Sequence, residues 1–293
     1  MTKKIVIISS AALVLVIALI IVIAVSRRGS AAPAIPKRIS VYDSAAGAIY
    51  TPSYEDFLAG CVSGVLLDNV DFEPEALKAV AIAENTRIQY FLGNKSGFTD
   101  LGADIAVSEY LPYSPEKPSD KVREAAKDAA GLALRFNGEA FNAPMCRIST
   151  GRTDKAPPYS PSVGLPCDLD APGYSASASF TPERVREALG GGNLSYNFAE
   201  WLHDPVYGEN GTLRYIELCG ERLTGETVRK SLGLRSTAIT AEFAEDKFTF
   251  KTQGWGDNRG MSIYAANYLA KKGKTAEEIL NVFYPEAEIA EIS

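Results

Sequence analysis

Two neighbouring stretches within residues 53–91 carry the clearest helical pattern of hydrophobic and polar positions in the chain. In the first, apolar residues recur at intervals of three and four, which predicts an amphipathic helix over residues 54–66 with one buried face. Ser53 stands at the N-cap position and Asp56 follows three residues later, a pattern typical of a helix start. The apolar face comprises Tyr54, Phe57, Leu58, Cys61, Val62, Val65 and Leu66.

The second stretch predicts a helix that begins at Pro74, a residue favoured in the first helical turn, and runs to about Tyr90. At about 100° per residue its apolar side chains cluster on one face, and Glu84 falls in the middle of that face. The cluster consists of Leu77, Val80, Ala81 and Ile88. A carboxylate in such a position is ion-paired, solvated by a cleft, or raised in pKa by desolvation. Glu84 is therefore the first candidate for a functional residue.

The rest of the chain mixes helical and strand patterns without a regular βαβ rhythm, which predicts an α+β fold. A hairpin is expected over residues 239–250, turning at Glu245 and Asp246. Residues 140–180 are rich in Pro, Gly and Ser and are predicted to be mainly loops. Further helices are predicted over residues 121–133, 181–190, 261–271 and 275–283.

The start of the chain carries a long apolar run, from residue 5 to residue 25. At about 1.5 Å per residue this run can cross a hydrocarbon core of about 30 Å, which predicts a single transmembrane helix. Its end fits a small-x-small cleavage site poorly, which favours an uncleaved anchor over a signal peptide. The expected single-pass protein of the cell membrane has a cytoplasmic tail (1–4), a transmembrane anchor (5–25), a linker (26–39) and a mixed helix and strand extracytoplasmic domain (40–293).

The composition and charge of the chain mainly exclude classes of partner and metal site. The 293 residues carry a net charge of −6 and the pI is about 5.1, which argues against nucleic acid or an anionic lipid surface as the main partner. The four cysteines form no Cys-x-x-Cys pair and His203 is the only histidine, so zinc-type spacing is absent and no metal site is assigned. Cys146 and Cys167 could approach one another across a loop, as a disulfide or as two metal ligands, and both possibilities stay open.

Several short motifs follow one another between residues 75 and 264, and each alone is a weak signal. They are Glu-Ala-Leu-Lys-Ala (75–79), Leu-Arg-Phe-Asn-Gly-Glu-Ala-Phe-Asn-Ala (134–143), Ser-Thr-Gly-Arg-Thr (149–153), Pro-Cys-Asp (166–168) with Ala171 and Pro172, Val-Arg-Lys-Ser-Leu-Gly-Leu-Arg-Ser-Thr (228–237), and Gly-Trp-Gly (254–256) with Gly-Met-Ser (260–262) and Tyr264. In their order and spacing they resemble the stage II sporulation protein D family, also described as the amidase-enhancer family. The resemblance covers residues 40–293.

The resemblance implies a function in the cell wall. Members of the family are typically anchored to the bacterial membrane, and the sporulation branch cleaves denuded glycan strands of peptidoglycan as a lytic transglycosylase during engulfment of the forespore. The implied partners are glycan strands and other sporulation cell-wall proteins, such as an amidase. One acid protonates the glycosidic oxygen and then acts as a base on the muramyl 6-hydroxyl, help worth about 10²–10⁴-fold. That step needs no metal and no cofactor.

The sequence departs from the family pattern at the catalytic position. Val65 occupies the position of the catalytic Glu on the first helix, and a valine cannot transfer a proton. In the glycine-rich loop Asp257 replaces a His and Arg259 replaces a Val, while Glu84 stands where the family has an Ala. Glu84 and Asp257 are therefore the candidate catalytic residues. The alternative for each is an ion pair, Glu84 with Arg87 or Arg259 and Asp257 with Arg259.

The candidate glycan-binding residues are Ser149, Thr150, Thr153, Trp255 and Arg259. Hydroxyl groups can bind sugar hydroxyls, although such clusters commonly form plain loops. Trp255 could stack on a sugar ring, with core packing as the alternative. Two hypotheses follow: a membrane-anchored protein that acts on glycan strands by an altered transglycosylase mechanism, or an inactive relative that binds glycan or activates an amidase.

Overall fold

The computed structural model describes residues 35–44, 46–94, 102–107, 111–114, 116, 118–190, 197–218 and 221–292. These residues form a mixture of helices and strands, as the α+β prediction requires. The helices are α1 (Tyr54–Val65), α2 (Pro74–Gly93), α3 (Asp120–Ala129), α4 (Pro182–Leu189), α5 (Gly225–Leu232), α6 (Ile263–Lys271) and α7 (Ala276–Phe283). The strands are β1 (Val41–Asp43), β2 (Ala48–Tyr50), β3 (Ile105–Val107), β4 (Leu132–Arg135), β5 (Met145–Cys146), β6 (Ser175–Phe180), β7 (Leu202–Tyr207), β8 (Leu213–Leu218), β9 (Glu221–Thr224), β10 (Ala238–Ala244), β11 (Lys247–Gln253), β12 (Met261–Ser262) and β13 (Glu288–Glu291).

The strands pair in small sheets. β1 lies between antiparallel β2 and parallel β3, and β13 pairs with β4. β5 and β12 form a short parallel pair. The two remaining sheets have the strand orders β10-β11-β6 and β7-β8-β9, and both are antiparallel.

Helix α2 is the centre of the larger hydrophobic core. It packs against α1, α3, α6, α7 and β4, and its residues from Val80 to Thr86 are all buried. The surrounding elements cover the helix on several sides, so apolar residues occur around much of its circumference rather than on one narrow stripe. The helix ends at Gly93, about one turn beyond the predicted end at Tyr90.

A polar contact inside this core joins three helices. The buried side chain of Asn85 donates to the carbonyl oxygens of Ala129 and Ala130 at the end of α3 and of Leu132 at the start of β4, at 2.8–3.0 Å. Its Oδ1 accepts from the hydroxyl of Tyr54 on α1, at 2.6 Å. Satisfying these buried groups fixes α1 and α3 against α2.

A second, smaller core lies within residues 175–253. It includes Trp201 and Phe248 and is built from α4, α5 and the two antiparallel three-stranded sheets. The chain leaves the first core at Tyr174 and returns at Gly254, whose N–H donates to the Tyr174 carbonyl at 2.7 Å. This segment is therefore an insertion whose two ends lie side by side.

The predicted transmembrane helix has to be corrected. No helix in the described part of the chain is both long enough and apolar enough to cross a bilayer. The longest, α2, has 20 residues but carries Glu75, Lys78, Glu84 and Arg87. The run at residues 5–25, on which the expectation rested, lies outside the described residues.

A cationic cleft as the candidate functional site

A cleft of about 650 Å³ lies between the end of α1, the side of α2, the glycine-rich loop and α5. Six basic residues line it: Arg87, Arg147, Lys155, Arg229, Lys230 and Arg259. The lining contains two acidic residues, Glu226 and Asp257. The cleft is thus strongly basic although the whole chain carries a net charge of −6, and a basic cleft favours anionic ligands.

Backbone contacts build the wall that carries the glycine-rich loop. β5 runs parallel to β12, and Trp255 exchanges backbone hydrogen bonds of 2.7 and 3.2 Å with Ile148. Gly260 has φ +71°, and a Cβ there would lie 1.7 Å from the carbonyl oxygen of Pro144. A side chain is therefore excluded at position 260 by both conformation and space.

Val65 lies on the cleft wall at the end of α1 and is 7% exposed. The Arg147 guanidinium donates to the carbonyl oxygens of Val65, at 2.9 Å, and of Gly64. A Cβ at Gly64 would lie 2.8 Å from the Pro112 backbone, so this glycine lets residue 112 approach α1 and close the same side of the cleft. The position at which the resemblance predicts an acid is accordingly on the cleft wall but carries an apolar side chain.

Glu84 is fully buried, 0% exposed, and does not line the cleft. Its Oε1 accepts from Arg87 Nη1 at 2.8 Å, while its buried Oε2 has no hydrogen-bond partner among the described residues. Burial raises the pKa of Glu84, and the charge and hydrogen bond of Arg87 oppose that rise. The observed geometry is the ion pair with Arg87, and it is Arg87 rather than Glu84 that reaches the cleft.

Asp257 lines the cleft and is bound to Arg259 of the same loop. Its Oδ1 accepts from the Arg259 backbone N–H at 3.1 Å, and its Oδ2 accepts from Nε at 2.9 Å and lies 2.8 Å from Nη2. Both carboxylate oxygens are therefore engaged within the loop. Asp257 and Arg259, both predicted as site residues, therefore form an ion pair with each other within the glycine-rich loop.

The predicted hydroxyl residues lie behind the cleft rather than in its lining. Ser149 and Thr153 are 0% exposed, and Thr153 Oγ1 accepts from the Val163 N–H at 2.9 Å. Thr150 donates its backbone N–H to Asn258 Oδ1 at 2.9 Å. In this structure the three residues hold the loops that form the cleft wall.

Asp168 stabilises the same wall of the cleft through hydrogen bonds. The buried carboxylate accepts from the Ser149 N–H at 2.8 Å and from the Ser262 hydroxyl at 3.0 Å. Burial raises its pKa from 3.8 to about 6, although these two hydrogen bonds act in the opposite direction. Asp168 thus links the loop that begins at Ser149 to the start of α6.

Glu226 is a cleft carboxylate that the sequence pattern did not single out. It lies in the first turn of α5 and pairs with Arg229, at 2.9 Å, and with Lys230, at 3.4 Å. Burial alone would raise its pKa, but the hydrogen bonds and charges of those two residues together lower it. The signal in the sequence was the neighbouring motif at residues 228–237, which supplies both cations.

The cysteines are free in the described part of the chain: Cys61 and Cys146 are buried and Cys167 is half-buried. The disulfide considered for Cys146 and Cys167 is therefore not present. One trio could hold a metal among the described residues: the ligand atoms of His203, Asp204 and Glu217 lie within 4.8 Å of one another on exposed strands outside the cleft. His203 already contacts Asp204, with Nδ1 2.9 Å from Oδ2.

Comparison with known proteins finds two curated relatives of this chain. No protein-family model matches it. It is 28% identical over 279 residues to the stage II sporulation protein D of Bacillus subtilis (strain 168), covering 88% of this chain and 80% of that protein. It is 26% identical over 277 residues to the protein of the same name from Bacillus amyloliquefaciens, covering 87% and 79%. Over most of its length the chain is therefore similar to proteins named stage II sporulation protein D, which supports the resemblance predicted from its motifs.

Proposed function

We propose that this protein binds glycan strands of peptidoglycan in the cationic cleft. The observation that carries the proposal is the lining of six basic and two acidic residues in an otherwise acidic chain. A volume of about 650 Å³ is within the range of cavities that hold organic ligands. Peptidoglycan lies outside the cytoplasmic membrane, so the proposal implies that the domain acts there.

The carboxylates of the cleft favour binding over cleavage. A general acid must lie within hydrogen-bond reach of the oxygen that it protonates. Val65 offers no proton, Glu84 is buried away from the cleft, and both oxygens of Asp257 are bound to Arg259. The ion pairs that lower the pKa of Glu226 keep that residue ionised at neutral pH. The inactive glycan-binding hypothesis therefore fits the geometry better than the transglycosylase hypothesis.

One experiment tests both parts of this proposal. The purified protein is incubated with denuded glycan strands, bound strands are measured in a pull-down, and the soluble fraction is analysed for anhydro-muramyl ends. We expect saturable binding without anhydro products. An absence of binding would reject the proposal.

Cleavage by a relocated acid is the second candidate, because Asp257 does line the cleft. If anhydro ends are released, Asp257→Asn and Glu84→Gln identify the acid, since the responsible variant loses release while still binding strands. In the absence of release, Val65→Glu restores a carboxylate inside the cleft next to the Arg147 guanidinium. Appearance of anhydro ends with that variant would mean that the rest of a cleavage site is intact. Activation of a partner amidase stays a prediction of the family resemblance.

A further inference from the structure

Arg87 differs from the other paired arginines of the cleft in the place of its carboxylate partner. It pairs with Glu84, which precedes it by one turn on α2, is 0% exposed and does not line the cleft. A ligand in the cleft can therefore contact the guanidinium of Arg87 but not the carboxylate that neutralises it. In two other ion pairs of the cleft both partners belong to the lining: Arg229 with Glu226, and Arg259 with Asp257.

Two side-chain hydrogen bonds hold the Arg87 guanidinium at the cleft wall. Its Nη1 donates to Glu84 Oε1 at 2.8 Å, and its Nε donates to Asn142 Oδ1 at 3.3 Å. The Arg87 side chain is 11% exposed. Because Glu84 Oε2 is buried without a hydrogen-bond partner among the described residues, the carboxylate that holds Arg87 is itself only partly satisfied.

The titratable groups that face Glu84 from the neighbouring elements are neutral at neutral pH. They are Cys61 of α1 and Tyr284, which follows α7, and burial raises the pKa of both. The other elements packed against α2 are α3, α6 and β4, and within the described structure Arg87 is the one charge that acts on the pKa of Glu84. Burial raises that pKa and Arg87 opposes the rise, so the charge of Glu84 depends on a single guanidinium.

We propose that Glu84 controls the charge that Arg87 presents to the cleft, so that an anionic ligand binds there together with a proton. While Glu84 is ionised, its negative charge offsets the attraction of Arg87 for the ligand. An anionic group beside Arg87 competes for the guanidinium and repels the buried carboxylate, and both effects favour protonation of Glu84. The proton comes from the solvent and adds to Oε2, the oxygen without a partner.

Ligand and proton are then linked reciprocally. Binding of the ligand raises the pKa of Glu84, and protonation of Glu84 raises the affinity of the cleft by the same factor. The affinity for an anionic ligand should therefore rise as the pH falls through the pKa of Glu84. This coupling rests on the proposed function, because it concerns regulation of the same cleft by protons.

The test measures proton uptake on binding. The full-length protein is titrated calorimetrically with denuded glycan strands, which are anionic, in buffers of different ionisation enthalpy between about pH 5 and pH 8. We expect net proton uptake and an affinity that is about fivefold or more higher at the acidic end of this range. Carboxylates of the strands themselves would release protons on entering a basic site, so their contribution has the opposite sign. A neutral chitin oligosaccharide should cause no proton uptake.

Glu84→Gln imitates the protonated side chain and assigns the proton uptake to this residue. The variant should bind denuded strands about fivefold or more tightly than wild type at the alkaline end of the range, and its proton uptake should be much smaller. A purely structural role of the ion pair predicts the reverse, because damage to the cleft wall weakens binding. Glu84→Asp keeps a titrating carboxyl group and should keep the uptake.

A double variant and a control show whether the effect acts through Arg87. Glu84→Gln combined with Arg87→Met should lose the gain in affinity, because the coupling requires both side chains. Glu242→Gln is the matched control: it removes the carboxylate of an exposed pair with Lys251, 3.0 Å apart and outside the cleft lining, and should change neither affinity nor uptake. Thermal melts accompany every variant.

The outcomes separate the coupling from glycan binding itself. Equal proton uptake by wild type and Glu84→Gln would overturn the coupling and leave glycan binding intact. Weaker binding by a folded Glu84→Gln at every pH would also overturn it. If Glu84→Gln does not fold, a folded Glu84→Asp that binds strands without proton uptake decides against the coupling. Failure of the wild-type protein to bind denuded strands would reject the proposed function together with the coupling.

Discussion

Glu84 illustrates how a charge can occupy the apolar face of a helix. Its carboxylate lies in the core with one oxygen bound to Arg87 and the other without a hydrogen-bond partner in the described structure. Desolvation of a charge costs several kcal/mol, and one ion pair recovers only part of that. The helical periodicity could identify the anomaly because it places Glu84 among apolar neighbours. It could not distinguish an ion pair from a cleft, because Arg87 lies one turn away at the edge where the cleft begins.

Asp168 makes the stability of the fold depend on pH. Its pKa is about 6 in the folded protein against 3.8 without the fold. The folded state therefore binds the proton more tightly, so this group contributes most below pH 4, and the contribution is lost as the pH rises to about 6. We expect the free energy of unfolding of Asp168→Asn, relative to wild type, to increase by about 1–3 kcal/mol between pH 4 and pH 7.

Denaturant melts of both proteins across this pH range measure that difference. Only the change with pH is diagnostic, because asparagine does not titrate and any constant loss reports altered hydrogen bonds to Ser149 and Ser262. A relative stability that stays flat, or that falls as the pH rises, would contradict the raised pKa of Asp168.

At the scale of elements, the glycine-rich loop can form its wall of the cleft because its backbone lies directly against residues 144–149, with no room for a side chain at Gly260. Gly260→Ala should destabilise the protein by about 3 kcal/mol or more, because the new Cβ would meet the Pro144 carbonyl oxygen. Gly273→Ala is the matched control: Gly273 has φ +85°, but a Cβ there would meet no atom within 4 Å, so only the backbone strain of about 1 kcal/mol remains. Thermal melts of the two variants isolate the steric contribution. Equal losses would show that the close contact with Pro144 does not matter.

Elements with local signals were predictable from the sequence. The Ser53 side chain accepts from the backbone N–H of Asp56 as expected, and Thr275 forms a full capping box with Glu278 at the start of the last predicted helix. The β10–β11 hairpin turns at Glu245 and Asp246, both with positive φ. In each case residues within one turn of one another determine the structure.

Strands that depend on distant partners were not predictable. β6 lies in a stretch expected to be loop, and its alternating residues acquire meaning only when β11, about 70 residues later, pairs with it. β13 follows the last predicted helix and pairs with β4 from the middle of the chain. Short polar or mixed segments carry too little pattern to identify such pairing on their own.

In the candidate site, too, local motifs predicted some features, whereas others depend on distant parts of the chain. The glycine-rich motif places Trp255, Asp257 and Arg259 on one wall of the cleft. The motif containing Ser149, by contrast, supports the wall through buried hydrogen bonds and offers no hydroxyl to the lining. A motif can identify which segments meet, but whether a given side chain points into the cleft depends on the packing of the whole molecule.

For the molecule as a whole, the two cores have to be folded together to form the cleft. Val65, Arg87 and Arg147 come from the first core and its loops, whereas Glu226, Arg229 and Lys230 come from α5 of the inserted unit. The insertion therefore supplies two of the six basic residues of the cleft lining. Because each core has its own hydrophobic cluster, local stability can differ between the two units.

Phe248→Ala should loosen the inserted unit and weaken glycan binding while the first core stays folded. Phe248 is 2% exposed and contacts Trp201 and Phe243, with ring centroids 5.8 and 4.8 Å away. Removing its ring from the core costs about 3–5 kcal/mol. We expect faster amide hydrogen exchange in β10, β11 and α5, unchanged exchange in α2, and lower affinity for denuded glycan, because α5 no longer holds its cations at the cleft.

Lys247→Ala, an exposed neighbour on β11, is the control for this experiment and should change neither exchange nor binding. If Phe248→Ala raised exchange in α2 as much as in β10 and β11, the two cores would behave as one cooperative unit, and the insertion would not be a separately stable part of the cleft. If exchange rose only in the inserted unit but binding was unaffected, the basic residues of α5 would contribute nothing to glycan affinity. Binding would then depend on the wall formed by Arg147 and Trp255, because those residues are held by the backbone of the first core.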